Sequence, residues 1–569
     1  MARHFRQLFG FCTLLLAVAC NGTAPAPKSV NAGPARGGSL TATIRTEPPT
    51  FNRFVSNQAA TDAVTRLTHA SLTRLNRATG EYEPWLAEKW VASPDGRVLT
   101  FTLRDGVTFS DGVPFTSADV VFSFRALYDP AIEKVSVLAS GIKVQGKPLQ
   151  VTATDARTVV VTLPAPFAPA VGLLDNVPIY PKHQLEAALD GHTFADAWGP
   201  ATKPGTMAGL GPFIAGEYVT GQRMTFTRNP HYWQKDAAGI ALPYLDSIVL
   251  EFANPDAEVL RLEAGTIDLM TQADVRPPDI AALRRLRDQG ALQLADVGIG
   301  VDPNTLWFNL TPSAAAQKAK PYLQRTEFRQ AVSYAVDRDA IVSTVYLGAA
   351  IPIYGPVTPG NRTWYSDGAP TYPHDVAKAK ALFAGLGLTD RNGDGMLEDA
   401  AGQPARFSIL TQGATIRERT ATVIQEQLRL AGIRVDVVPL DPPSMFARFG
   451  KGDYESIYFG FQASAFDPAL NLDFWLSGGS AHVWNFGPPA PWERTIDDLM
   501  QKQAAAPSLA ERQRLFAEVQ KVFGENLPAI YFVAPKVSVA MSRRAGGAVP
   551  VQLNPQILWN PATLYAIPR

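Results

Sequence analysis

Three observations predict a multi-lobed α/β protein. The chain has 569 residues, more than a single hydrophobic core usually organises, so two or three lobes are expected. Strand and helix patterns alternate, most clearly at 415–437. There Val423, Ile424 and Leu428 mark one face of a helix over Arg417–Leu430, and Gly432 stops it. Ile433, Val435 and Val437 then alternate with Arg434 and Asp436 as a strand. The third observation is the run from Val98 to Phe124. Leu99, Phe101 and Leu103 alternate with polar neighbours, Asp105-Gly106 and Asp111-Gly112 make two turns, and Thr116 to Asp119 reads as a capping box opening a helix.

Taken in order, the chain begins with a targeting segment. Arg3, His4 and Arg6 form a basic head, and Leu8 to Val18 an apolar run too short to span a bilayer. It ends Leu16-Ala17-Val18-Ala19-Cys20, like a bacterial lipobox, with Ala17 where Leu is usual. The reading is a lipoprotein signal peptide over 1–19, with Cys20 lipidated and Cys12 removed. Residues 20–38, rich in Pro, Ala and Gly, read as a flexible tether. Ser39 to Arg45 alternates as a strand, Asn57 to Leu75 looks helical, and Ser93-Pro94-Asp95-Gly96 marks a hairpin. Strands follow at Leu149–Thr154 and Thr158–Leu163. Asp256–Ala264 reads as a helix, with Leu260, Leu262 and Ile267 buried at or beyond its end. A last helix starts at Ser508, with Glu511 completing a capping box, and Ile530 to Val533 reads as one strand.

Composition narrows the function. Hydrophobic residues make up 46% and charged residues 18%, and 52 basic residues balance 52 acidic ones. Residues 1–19 hold two arginines and no acid, so the remainder is slightly acidic. Nucleic-acid binding would need a basic stripe, and none is present. The seven histidines are scattered without a metal-ligand spacing, and there is no GxSxG elbow or phosphate-binding loop. No cofactor is expected and no carboxylate pair stands out as an acid/base couple, which argues against an enzyme. Asp390, Asn392 and Asp394 supply the first half of a calcium loop, but its twelfth position is Ala401, so a solvated Asx/Gly turn is the preferred reading.

The wording of several segments carries more. Val98–Phe124, Glu47-Pro48-Pro49-Thr50, Leu86 to Trp90, Arg228 to Trp233, Pro243 to Asp246, Leu262 to Asp268, Phe308-Asn309, Phe328 to Arg338 and Leu558-Trp559-Asn560 follow one another in an order that closely resembles the family 5 extracytoplasmic solute-binding proteins, the peptide receptors of ABC importers. The resemblance spans roughly 38–565. It implies a periplasmic-binding-protein-like two-lobe (Venus flytrap) fold with a third, smaller inserted lobe. Lobe I would comprise 38–75, 186–295 and 530–569, the inserted lobe II 76–185, and lobe III 296–529. It also implies a monomeric, lipid-anchored receptor on the periplasmic side of the envelope. Such a receptor captures a peptide or similar-sized solute and delivers it to an inner-membrane ABC permease.

On the same resemblance, the ligand meets the strand at Tyr454–Pro468. Tyr458, Gly460, Phe461, Gln462 and Ser464 would line the site, Gly460 letting a ligand backbone approach closely. Asn57 and Gln58 would face them from lobe I, with Arg417 and Ser333 as further candidates. Ser464 stands where the peptide receptors carry an Asp, and Phe449 and Tyr458 where they carry arginines. This points to a neutral, aromatic site, with Trp475 and Trp484 as flat faces and Asn485 as an amide partner. An oligosaccharide or other neutral solute is therefore the alternative ligand, and an exported enzyme or a surface adhesin or chaperone the alternative class.

Overall fold

The computed structural model describes residues 34–270, 275–314, 318–413, 415–461, 467–553 and 556–568. Three sheets organise them. In the first lobe Ser39–Ile44 pairs in parallel with Ser247–Phe252 and Leu269–Met270, and the hairpin Phe213–Val219/Arg223–Arg228 adds to one side. Val533–Ser542 and Leu292–Ile299 close the other side, antiparallel to each other. The inserted lobe holds an antiparallel sheet in the order Ala87–Ala92, Val98–Leu103, Thr158–Thr162, Gln150–Asp155. In the C-terminal lobe Arg434–Leu440, Arg406–Gln412 and Ser456–Phe459 run parallel, and Thr305–Phe308 and Ala529–Tyr531 extend that sheet antiparallel.

Local chemistry explains most boundaries. The alternation of Leu99, Phe101 and Leu103 buries those three and leaves Thr100 and Thr102 half-exposed. The helix Ser117–Leu127 starts in a complete capping box: Ala118 N–H donates to Thr116 Oγ1, and Thr116 N–H donates to Asp119 Oδ2 at 2.9 Å. The helix Ile416–Leu430 buries Ile424 and Leu428 and passes through Gly432, at φ +91°, into its strand.

Four expectations change. The helix read over Asn57–Leu75 covers only Ala59–Thr68, and Thr73–Asn76 is a strand. Gly209 and Gly211 pack against the turn at Thr68, and Gly211 N–H donates to Thr68 O at 2.9 Å, a bond that comes from a distant segment. Leu260 lies on the solvent side of its helix, whereas Leu262 and Ile267 are buried. Ser508 caps the helix Leu509–Asn526, but the Glu511 carboxylate pairs with Arg514 instead of closing a box. The strand read over Ile530–Val533 breaks at Phe532. Ala529–Tyr531 belongs to the C-terminal sheet and Val533–Ser542 to the first.

That break is one crossing between the main lobes. Another joins Leu292–Ile299 to Thr305–Phe308, with Gly300 N–H donating to Pro535 O at 2.7 Å across the pair, and Ala350–Pro352 also reaches the first sheet by pairing with Val533–Pro535. The core divides there as well. One apolar cluster spans the first and inserted lobes, and another fills the C-terminal lobe. Among the described residues no helix is long and apolar enough to cross a membrane.

A β-carbon at Gly211 would lie 2.6 Å from His69 N. Gly211→Ala is therefore expected to destabilise the first lobe by ~1–3 kcal/mol, the usual cost of overpacking. Thermal unfolding followed by calorimetry checks this: the transition of the first lobe should fall by several degrees, with that of the C-terminal lobe unmoved.

Candidate functional site

The carboxyl ends of the three parallel strands, at Gln412, Leu440 and Phe459, share one edge of the C-terminal sheet. In α/β sheets that edge is where ligands bind. Thr305 reaches the same edge because it pairs with Phe459. The helix Ile416–Leu430 also starts there, its first turn capped by Thr415, whose Oγ1 accepts from Arg417 N–H at 3.2 Å.

Arg417 projects from that first turn. Its Nε donates to Asn304 Oδ1 and its Nη1 to Gln412 Oε1, both at 2.7 Å, and the guanidinium lies 4.3 Å from the centre of the Phe459 ring. Burial draws its pKa below the ordinary arginine value. Both amide partners are neutral, and among the described residues no carboxylate lies within 4.0 Å of it. A cation held in place without a counter-ion suits an anionic ligand group.

Beside it runs an aromatic wall. Phe461 stacks on Phe449 at 4.7 Å and tilts against Phe459 at 4.9 Å, and Phe446 sits edge-on to Phe459 at 5.4 Å. Phe446 and Phe486 remain exposed, an unusual state for such rings, and Phe486 touches Phe449. Gly460 is needed for close packing within the chain: a β-carbon there would lie 3.3 Å from Asn304 Oδ1 and 3.4 Å from Pro303 O.

In the first lobe, Asn57 and Gln58 are both exposed in the loop that enters the helix Ala59–Thr68. One and two turns along that helix, Asp62 and Arg66 are joined by Arg66 Nε donating to Asp62 Oδ2 at 2.7 Å, and Arg53 approaches Asp62 at 3.6 Å. Burial would raise the Asp62 carboxyl, but Arg66 and Arg53 outweigh it and hold it below the usual range. These groups share a cavity with Arg74 and Asp175, and burial pushes the Asp175 carboxyl up. Charged groups therefore lie near the candidate residues of both lobes, Arg417 in one and Asp62 with Arg66 in the other, which departs from the neutral site expected. The i, i+4 spacing of Asp62 and Arg66 was visible in the sequence, but not the direction they face.

Several other candidates sit elsewhere. Trp475 and Trp484 are 2% and 0% exposed, and Trp484 stacks on Trp307 at 5.8 Å in the C-terminal core. They are not flat faces of a cleft. Glu493, at the start of the helix Pro491–Ala505, holds this region: Trp484 Nε1 donates to its Oε1 and Asn485 Nδ2 to its Oε2, each at 2.8 Å, and His482 Nε2 lies 3.0 Å from Oε1. Asn485 is thereby a core ligand of Glu493, not an open amide. Tyr458 is fully buried, and its hydroxyl faces Tyr346 and Thr420 beneath the helix Ile416–Leu430. Ser333 is buried and accepts from Arg338 Nη2 at 2.9 Å. Gln462, Ser464 and Cys20 lie outside the described residues. Asp467, the next acid after Ser464, is committed to Arg512 and caps the turn Pro468–Asn471.

At 390–398 the oxygens turn inward. Asp390 accepts from Gly393 and Gly395 N–H, Asn392 Oδ1 from Asp394 N–H, and Asp394 Oδ1 from Met396 N–H. One oxygen each of Asp390, Asp394 and Glu398 lies within 4.8 Å of the others, but Glu398 already accepts from Arg391 N–H and Asn392 Nδ2. This is the hydrogen-bonding of an Asx/Gly turn.

Comparison with known proteins agrees with this architecture. The family model of the bacterial extracellular solute-binding proteins, family 5, matches residues 81–482. A Deinococcus radiodurans protein named "Probable ABC transporter-binding protein" is 28% identical over 523 residues, covering 88% of this chain and 87% of that one. The "Dipeptide-binding protein" of Escherichia coli is 25% identical over 525 residues, covering 88% and 90%. Among solved structures, the periplasmic binding protein MelB of Agrobacterium fabrum, in complex with stachyose, has a TM-score of 0.76 at 23% identity, covering 94% of this chain and 85% of that one.

The Glu493 cluster makes the C-terminal lobe acid-sensitive. Burial alone would raise the Glu493 carboxyl, but its bonds from His482, Ala490 N–H and Asn485 hold it below the ordinary value of 4.5. Its contribution to stability is therefore complete above about pH 4.5 and fades as the pH falls through the lower folded-state value. Glu493→Gln is expected to lower the melting temperature at pH 7 and to flatten its decline between about pH 5 and 3. A variant whose acid decline parallels the parent's would show that another group is responsible.

Proposed function

Because this chain belongs to the bacterial extracellular solute-binding proteins of family 5, we propose that it is the solute-binding receptor of an ABC importer. It captures a peptide or similar-sized solute between its first and C-terminal lobes and hands it to a membrane permease. The observation that carries this reading is the division of the core. One apolar cluster supports the first and inserted lobes and another the C-terminal lobe, and the chain passes between them at 299–305 and at Phe532, the arrangement that a solute held between lobes would use. A ligand touching both walls shifts an open–closed equilibrium by its extra affinity for the closed form. Binding and release are the whole task, and no step requires catalysis. Lipid attachment at Cys20, a monomeric state and a position on the periplasmic side belong to the same reading.

The chemistry of the walls narrows the solute. Arg417, held without a counter-ion, would receive a carboxylate, and the rings of Phe446, Phe459 and Phe461 an adjoining apolar group. A peptide or an acylated amino-acid derivative meets both demands. The second reading, an oligosaccharide, is favoured by the exposed rings and by the stachyose-bound neighbour.

Native mass spectrometry of the gently purified protein, followed by denaturation, identifies any carried solute. A peptide or other carboxylate-bearing molecule supports the first reading, and a neutral sugar replaces it with the second. With a carboxylate-bearing solute in hand, Arg417→Met is expected to weaken binding by about tenfold to a hundredfold in titration calorimetry, the worth of a charge-assisted hydrogen bond. An unchanged affinity would confine Arg417 to a structural role.

A further inference from the structure

The two main lobes account for capture, but the inserted lobe also touches the C-terminal lobe directly. Ala168 N–H donates to Ala504 O at 2.7 Å, a backbone bond from the inserted lobe to the end of the helix Pro491–Ala505. Close by, Gly172 faces the turn Pro468–Asn471. A β-carbon on Gly172 would lie 2.5 Å from Tyr82 Oη and 2.8 Å from Leu470 Cδ1, so a larger residue there would displace the ends of both side chains. Ala469 and Ala504 are buried within the apolar cluster of the first and inserted lobes, and Leu470 packs against it, although all three belong to the C-terminal lobe. These contacts lie far along the chain from both crossings.

One residue coordinates the C-terminal side of this contact. Arg512 pairs with Asp467, whose Oδ1 accepts from Ala469 N–H at 3.0 Å and so shapes the turn that presents Leu470. Arg512 Nε also donates to Gln503 O at 3.2 Å, immediately before Ala504. Gln503 Nε2 reaches Asp467 at 3.5 Å and closes the set. The guanidinium thereby fixes the two contact points, Leu470 and Ala504, relative to each other. Beside them lies a cavity of about 780 Å³, lined in part by Tyr82, Asp296, Trp364, Asp467 and Gln552, which the inserted lobe helps to wall.

We infer that the arrangement seen here is a closed form and that the inserted lobe is its latch: it grips the C-terminal lobe at Leu470 and Ala504 and keeps this form partly populated before any solute binds, with Arg512 as the positioning residue. The latch goes beyond solute capture and holds whether the solute is a peptide or a sugar. A receptor with a pre-populated closed form binds more tightly, because less of the ligand's affinity is spent on closure.

The test needs no ligand. Both cysteines of the chain, Cys12 and Cys20, are replaced by Ser, and dyes are attached through Val137→Cys on the inserted lobe and Leu430→Cys on the C-terminal lobe, both exposed. Single-molecule energy transfer on the solute-free protein should resolve a closed and an open population. Leu470→Ala, which removes the grip, and Gly172→Val, which wedges it, should each reduce the closed-to-open ratio at least threefold. Their melting temperatures should stay within a few degrees of the parent's. A parent with a single open population would overturn the latch, as would variants whose distributions match the parent's. A shift in only one variant would also overturn it, since that would be local damage to one lobe and not loss of a shared contact.

Discussion

The structure depends on the clasp that Arg338 makes beside the chain crossing at Phe532. Its guanidinium is buried and gathers the carbonyls of Tyr531, Ile353, Ser333 and Tyr372, with Tyr531 O at 2.8 Å from Nη2. The ring of Tyr354 lies 4.2 Å from its centre. Burial lowers its pKa to about 10, so it stays charged at neutral pH. A buried cation is costly unless it is fully hydrogen-bonded, and here carbonyl oxygens supply that bonding. They come from segments far apart in sequence, so the clasp fixes where the C-terminal sheet ends and the first sheet begins.

From that constraint follows the division of labour between the two walls. The C-terminal lobe presents the carboxyl edge of a parallel sheet, where strand ends, a helix start and Arg417 converge because the chain must turn there after every strand. The first lobe presents a loop and a helix whose outward stripe is paired charge. The walls differ because their supporting elements differ: an aromatic layer packs over one sheet edge, and an amphipathic helix flanks the other. The inserted lobe, hung on the first, meets the C-terminal lobe at Leu470 and Ala504, beside a cavity that Asp296 to Ile299, leading into one crossing, also line.

Much of this was legible in residue order. Period-two strands, the capping box at Thr116 and the helix–glycine–strand unit ending at Val437 rest on interactions within a few residues, which a linear reading captures. The motif series located the family, and with it the two-lobe plan. Where local preference met a distant partner, the reading failed. The helix expected through Leu75 ends at Thr68 because Gly209 and Gly211 arrive from another segment, and the strand expected through Phe532 is divided between sheets. Trp475, Trp484 and Asn485 were expected at the site, but Trp475 packs on Phe474 and Phe516, Trp484 on Trp307, and Asn485 donates to Glu493, contacts that only the folded core supplies.

The sequence by itself determined the class of fold and the elements stabilised by their own neighbours, because backbone propensity and side-chain period act over short range. Tertiary structure decided which side chains are free to act. Among the described residues Arg417 has no carboxylate beside it, Asp467 is bound to Arg512, and Tyr458 is sealed beneath a helix, and each of these follows from what distant segments bring to the same place. Burial and pairing are sums over neighbours in space, and the order of residues along the chain does not contain them.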